Sequence, residues 1–156
     1  MESLCHLLIT NDVDSCIVSI DNPLVENQKM ELNLFCIQDT KLSVDIRYNI
    51  PHISISLKVD ADILTLNNDT DYQSNSILEQ ISNSTKNYLE KEMYDYLNKV
   101  SREYGTDIDN FGIKATSKFT TIPEWKEYNW LEKFKTAEFN VNIDVNVVSS
   151  LLVTKT

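Results

Sequence analysis

Apolar and polar residues alternate along four segments in the first half of the chain. In the clearest one, residues 53–63, isoleucine, leucine and valine alternate with serine, lysine and aspartate. A period of two is typical of a β-strand that buries one face and exposes the other. Residues 16–21, 30–37 and 42–50 alternate similarly, and Pro51 is expected to break the chain after the third of them. Because the connections are short, the pattern predicts a largely antiparallel sheet with one dry face and one wet face.

Residues 76–104 carry the one long helical pattern in the sequence. Apolar residues recur there every three to five positions, apart from one gap of seven, and so predict a stripe along one side of a helix. Ser76 and Glu79 have the spacing of a capping box, and Gly105 suits the left-handed position that closes a helix. The predicted stripe consists of Ile77, Ile81, Tyr88, Met93, Tyr96, Val100 and Tyr104.

Shorter patterns complete the prediction. They are helices at 2–9, 113–119, 123–126 and 129–134, a polar loop at 67–75, a fifth strand at 139–147 and frayed residues at 149–156. We expect a single domain, residues 1–156, of the α+β class. Its two layers are a mostly antiparallel sheet of about five strands and one long helix plus short helices packed against it. The pattern leaves the neighbour of the fifth strand open.

Charge narrows the range of partners. The 156 residues include 24 acidic and 14 basic side chains, a formal net charge of −10 at pH 7. Nucleic acid and anionic lipid both require a clustered positive surface, so the composition argues against both. No apolar run reaches the length of about 20 residues that spans a bilayer. No signal peptide is recognised, so we expect either a cytosolic protein or an excised domain.

Cysteine and histidine offer little chemistry. Cys5, Cys16 and Cys36 fit no metal-binding spacing and lie among apolar residues, so we interpret them as small buried side chains and leave a single disulfide open. His6 and His52 have no second histidine or cysteine at ligand spacing, and no metal site is predicted. An enzyme that uses Cys5, His6 and an acid is one hypothesis, although adjacent residues on a helix point apart.

Other polar and aromatic features have ordinary structural interpretations. Aspartates on the strands fall on the wet side, and the acidic run at 68–71 lacks the glycine and glutamate of a calcium loop. The sequence contains no catalytic constellation that we recognise. Aromatic residues outside the sheet are expected to pack in or beside the core rather than to bind a partner. These aromatic residues are Tyr72, Tyr94, Trp125, Tyr128 and Trp130.

Asp107 is followed four and five residues later by Phe111 and Gly112, a spacing that predicts a fixed corner. We expect the aspartate to accept hydrogen bonds from the amides of the turn while the phenylalanine anchors it under the sheet. This order of features resembles the C-terminal domain of the C subunit of spore germinant receptors, the Ger(x)C lipoprotein family of spore-forming Firmicutes. The resemblance also rests on the helix end at 100–107, on Pro123, Trp125, Trp130 and Phe134, and on the closing strand at 139–147.

The chain departs from the family pattern in local details. Asn110 stands where the family has glycine, and asparagine is the next best residue for left-handed backbone. Ser101 replaces a glutamine of the helix, and serines at 149 and 150 replace a glycine after the last strand. The gap between the two tryptophans is also short. These departures concern local geometry.

The resemblance implies a non-enzymatic domain without a cofactor, equivalent to the third and last domain of a longer lipoprotein. Members of the family are anchored by a lipid, on a cysteine that this chain lacks, to the outer face of the spore inner membrane. There they act with integral membrane A- and B-type subunits in the germination response. The expected role is receptor assembly and the germination response through protein–protein contacts with those subunits and with the preceding domains of the full-length chain.

The contact surface is expected to be the wet sheet face or the corner of Trp125 and Trp130. The alternative is a small-ligand (germinant) binding domain, which would need an apolar pocket between the helix and the sheet. The family-motif residues, which are also the candidate interaction residues, are Asp107, Phe111, Gly112, Pro123, Trp125, Trp130 and Phe134.

Overall fold

A computed structural model describes residues 1–65, 72 and 74–148 of the chain. The sheet is formed by β1 (Ser15–Asp21), β2 (Lys29–Cys36), β3 (Lys41–Arg47), β4 (Ile50–Ile63) and β5 (Glu138–Val148). The helices are α1 (Glu2–Thr10), α2 (Asn75–Asn98), α3 (Phe111–Ala115), α4 (Ile122–Tyr128) and α5 (Trp130–Phe134). A π-helical turn, Lys99–Glu103, extends α2, and a 3₁₀ turn, Thr116–Lys118, extends α3. The α+β prediction is confirmed.

The long strand β4 organises the sheet. Along one edge it pairs antiparallel with β3 through its first half and with β2 through its second half, and β1 lies outside β2. Along its other edge β4 pairs in parallel with β5, over the register from His52↔Glu138 to Asp62↔Val148. The sheet is therefore mixed, with three antiparallel pairings and one parallel pairing.

The predicted boundary between the third and fourth strands is wrong. The chain turns at Tyr48 and Asn49, and Pro51 lies inside β4 opposite Ile46. Proline lacks the N–H that a central strand needs, but β5 begins to pair with β4 only at His52. At Pro51, β4 is still an edge strand, where proline is tolerated.

The long helix begins and ends differently from the prediction. Ser74 is the N-cap and makes no side-chain capping bond, so the predicted capping box at Ser76 is wrong. A complete capping box occurs instead in α4, where Thr121 and Glu124 bond each other's backbone amides. Gly105 has a φ of 59°, which confirms the predicted left-handed position after the helix.

The apolar stripe of α2 is partly as predicted. Ile81, Met93, Tyr96 and Val100 are buried, whereas Tyr104 is 58% exposed because it lies beyond the π-helical turn. The prediction missed three buried positions, which are Thr85, Leu89 and Leu97. Together these residues fill the dry face of the sheet, where the facing β4 side chains are almost completely buried.

A second face of α2 covers the outer edge of β5. The backbone N–H of Val141 donates to the Tyr94 hydroxyl, that of Ile143 to the Glu90 carboxylate, and that of Val147 to the Ser82 hydroxyl, at 3.0–3.3 Å. A parallel edge strand would otherwise expose these donors to other chains. The helix thus packs against the sheet and protects one of its edges.

The remaining predictions have mixed outcomes. The helix expected at 2–9 is confirmed by α1, and the three short helices after the corner are confirmed as α3, α4 and α5 with shifted ends. The fifth strand is confirmed over Glu138–Val148. The frayed end at 149–156 and most of the polar loop at 67–75 lie outside the described residues.

Candidate functional site

The corner between the π-helical turn and α3 is organised by one carboxylate. Asp107 Oδ1 accepts a hydrogen bond from the Phe111 N–H at 2.9 Å, and Oδ2 accepts one from the Gly112 N–H at 2.6 Å. Asp107 Oδ2 also accepts from Trp130 Nε1 at 2.8 Å. Asn110, directly before α3, has a φ of 59°, which explains why asparagine can replace glycine there. The carboxylate therefore satisfies the first amides of α3 and ties α5 to them.

Gly112 is required by space rather than by backbone conformation. A Cβ atom at this position would lie 2.8 Å from Trp130 Nε1 and 3.1 Å from Asp107 Oδ2. Real Cβ atoms do not approach neighbouring atoms that closely, so any side chain would displace the indole from the carboxylate. The spacing of Asp107, Gly112 and Trp130 thus describes a structural lock, in which the glycine lets the indole reach the aspartate.

A row of aromatic rings continues from this lock. Phe134 contacts Phe111 and Trp130, with ring centroids 6.0 and 5.7 Å apart, and Trp130 contacts Trp125 at 5.9 Å. Pro123 lies in the first turn of α4, where its fixed φ favours helix initiation. Aromatic pairs at these distances stabilise beyond the area that they bury.

The candidate residues differ in how far a partner could reach them. Phe111 and Phe134 are fully buried, and Trp130 is 7% exposed. Trp125 is half-buried, and Pro123 is exposed. The structure therefore brings six of the seven candidates into one cluster, and leaves Trp125 and Pro123 as those with substantial surface.

A second aspartate of the corner was not singled out by the sequence. The side chain of Asp109 is completely buried, lies 2.8 Å from His6 Nδ1 and accepts from the Tyr96 hydroxyl at 3.0 Å. Burial raises the pKa of Asp109, and the bonds to His6 and Tyr96 partly oppose that shift. This network fastens α1 and α2 to the corner.

The geometry does not activate Cys5. This thiol is buried, and burial, with a smaller effect of Glu92, raises its pKa to about 12. Among the described residues His6 bonds Asp109 and not Cys5, and the three cysteines are free. No group of three or more candidate ligands in the described part of the chain is placed to hold a metal ion. A thiol with so high a pKa is a poor nucleophile near neutral pH.

Two shallow grooves adjoin the exposed end of the aromatic row. They have volumes of about 400 and 540 Å³ and share Asn49, Phe119 and Tyr128 as lining residues. The Tyr128 hydroxyl donates to the Asn49 carbonyl at 3.3 Å, which joins α4 to the turn before β4. The ring of Phe119 contacts those of Trp125 and Tyr128, with centroids 5.4 and 5.0 Å apart. The sequence did not indicate Phe119, because no local pattern places it beside that turn.

These features define an α+β domain that is built around a buried polar and aromatic corner. The chain belongs to the family described as "Spore germination B3/GerAC like, C-terminal", whose family model matches residues 1–150. It is therefore a domain of the germinant receptor C-subunit type, which confirms the resemblance found in the sequence. This is a family of receptor subunits rather than a known family of enzymes.

The fold is similar to that in the crystal structure of the GerBC protein. The TM-score is 0.73 at 18% sequence identity, and the match covers 95% of this chain and 45% of that one. The chain thus spans less than half the length of the solved protein. No curated protein matches it. Within the described residues, no helix combines the length and the apolar character needed to cross a bilayer.

Proposed function

We propose that this domain acts in the assembly of a spore germinant receptor and in the germination response, through protein–protein contacts and without catalysis. The observation that carries the proposal is the family match over residues 1–150. The high pKa of the buried Cys5 thiol argues against catalysis by this cysteine. The close packing of α2 on the sheet supports protein contacts rather than a germinant pocket between these layers.

The proposed partners are the integral membrane A- and B-type subunits and the preceding domains of the full-length chain. Coverage of less than half of the GerBC chain is consistent with such additional domains. In this proposal a lipid outside the present sequence anchors the full-length protein to the outer face of the spore inner membrane. The strongly acidic composition supports a protein partner rather than direct binding to anionic lipid.

Two surfaces remain available for these contacts. One is the exposed end of the corner, with Pro123 and Trp125. The other is the wet face of the sheet, which carries the exposed apolar side chains of Ile17 and Phe35. Tryptophan is enriched among residues that dominate binding energy, so we favour the corner.

The test is a pull-down of detergent-solubilised spore inner membrane by the tagged chain, with mass spectrometry of the retained proteins. We expect the integral receptor subunits to be retained. Trp125→Ala should reduce retention, whereas Phe35→Ala on the sheet face should not, provided that near-UV circular dichroism shows both variants folded. Reversal of that order would move the contact to the sheet. Failure of the unmodified chain to retain either integral subunit would contradict the proposal.

A further inference from the structure

The turn between β3 and β4 contains a residue that is unfavourable there. Tyr48 and Asn49 both have left-handed backbone, with φ of 50° and 66°. Two successive residues of this kind form the tight turn that best matches the twist of a hairpin, and asparagine, aspartate and glycine are preferred in it. Asn49 suits its position. Tyr48 is a bulky residue in a conformation that such residues rarely adopt.

The Tyr48 side chain gains nothing from the fold in return. It is 99% exposed, and no hydrogen bond or ring contact joins it to another described residue. Strained backbone conformations concentrate at sites where function requires them. A strained and fully exposed aromatic side chain therefore points to a contact outside the chain.

The surface next to this turn can accommodate an aromatic side chain. Asn49 lines both grooves, and Phe119 and Tyr128 line them with it. Their volumes of about 400 and 540 Å³ exceed the volume of a tyrosine ring. The projecting ring and the groove thus lie side by side on one surface.

The charges around the grooves indicate what can approach. Three carboxylates, of Asp45, Glu124 and Glu127, and two cations, of Lys118 and Lys133, line them. Arg47 pairs with Asp45 at 2.9 Å, so with this cation the patch is balanced, whereas the chain as a whole carries −10. Two copies of an acidic chain repel each other on average, so a balanced patch is where they can meet without like-charge repulsion.

We propose that this surface binds a second copy of the chain, with Tyr48 of each copy seated in the Phe119 and Tyr128 groove of the other. A two-fold axis beside the turn satisfies this arrangement, since ring and groove are neighbours on the same face. We expect a weak and reversible dimer, with an interface below the roughly 800 Å² per partner of a stable one. This association goes beyond the proposed function and does not depend on it.

Sedimentation equilibrium of the purified chain, at concentrations rising to about 1 mM, tests the proposal. The average mass should rise from the monomer towards the dimer. Tyr48→Asn should weaken association at least about tenfold, as expected for loss of a central aromatic anchor. This variant should fold, because asparagine is favoured in the turn. Tyr104→Asn, which makes the same change at another exposed tyrosine, should associate like the unmodified chain.

A charge variant provides an independent test. Lys118→Glu, at an exposed position, is expected to fold. It removes a cation from the patch and adds a carboxylate, so association should weaken and should recover as salt is added. A monomeric mass for the unmodified chain at the highest concentration would overturn the proposal. Equal association of the Tyr48 and Tyr104 variants would overturn it as well.

Discussion

The two ends of the aromatic row differ in how completely their side chains are buried and hydrogen-bonded within the molecule. At the corner, Asp107 accepts three hydrogen bonds, and Phe111 and Phe134 are fully buried. At the other end, Phe119 and Trp125 are half-buried, and the nearby Tyr48 is exposed and strained. The hydrogen bonds and buried rings of the corner stabilise the fold. The end near the turn retains surface that the fold does not use.

The residues by which the family is recognised are therefore different from the residues that are available to bind a partner. The motif residues Asp107, Phe111, Gly112 and Trp130 identify the family, and their contacts are inside the molecule. A surface that binds a partner needs exposed side chains, and these lie mainly outside the motif. Substitutions in the two regions should therefore have opposite consequences for stability and for association.

The largest effect is expected at Asp107. Asp107→Ala leaves three N–H donors without their acceptor, and should lower the free energy of unfolding by about 3 kcal/mol because these donors are only partly reachable by water. Asp107→Asn keeps one acceptor oxygen but turns an NH₂ group towards a donor, so its loss should be about 2 kcal/mol. Urea unfolding followed by tryptophan fluorescence measures both. An Asp107→Ala variant with the same free energy of unfolding as the unmodified chain would contradict the structural lock.

Gly112→Ala tests whether the glycine is there for space. The added methyl group should push Trp130 away from Asp107 and reduce stability by about 1–3 kcal/mol. Gly105→Asn is the matched control. Its Cβ would meet only the flexible end of Lys135, and asparagine tolerates the φ of 59°. We expect Gly112→Ala to be less stable than Gly105→Asn. The opposite order would mean that backbone conformation, rather than space, decides where glycine is required.

The buried Asp109 should make a pH-dependent contribution of opposite sign to that of an ordinary ion-paired aspartate. Its folded pKa is raised above the unfolded value. The contribution is therefore full below the unfolded pKa and is lost as the pH rises through the folded pKa. The stability of the unmodified chain relative to Asp109→Asn should improve as the pH falls from 7 towards 4. Urea unfolding of both proteins at each pH measures the difference, and a constant difference would contradict the assignment.

The sequence predicts where the strands and helices of this fold lie better than it predicts which of them pair or make contact. Alternation in residues 53–63 identifies β4 because its burial follows the period of two along the chain. The parallel pairing of β4 with β5 joins residues more than eighty positions apart, and no local pattern encodes it. The bond between His6 and Asp109 spans 103 positions and was missed for the same reason.

Local errors have local physical causes. Pro51 is a break signal only in a strand that is paired on both sides, which β4 is not at that point. The predicted stripe of α2 omits Leu89 and Leu97, because each directly follows a tyrosine of the stripe and apolar spacing alone does not decide which of two adjacent residues is buried. At the corner, the spacing of Asp107, Phe111 and Gly112 was sufficient to predict the turn amides as donors. The hydrogen bond from the Trp130 indole to Asp107 could not be predicted, because the two residues lie far apart in the sequence.

The smallest expected effect on stability is at Tyr48, and its sign separates the two regions. Tyr48→Asn should raise the free energy of unfolding by about 1 kcal/mol, since asparagine tolerates left-handed backbone that costs other residues about 1–2 kcal/mol. Asn49→Ala, at the other left-handed position of the turn, should lower it by a similar amount. Both are measured by urea unfolding at a concentration where the chain is monomeric. A gain in stability together with a loss of association would mean that the tyrosine is retained for binding at a cost to the fold. A loss of stability would mean that the turn tolerates tyrosine for a reason within the chain, and the contrast with the corner would then fail.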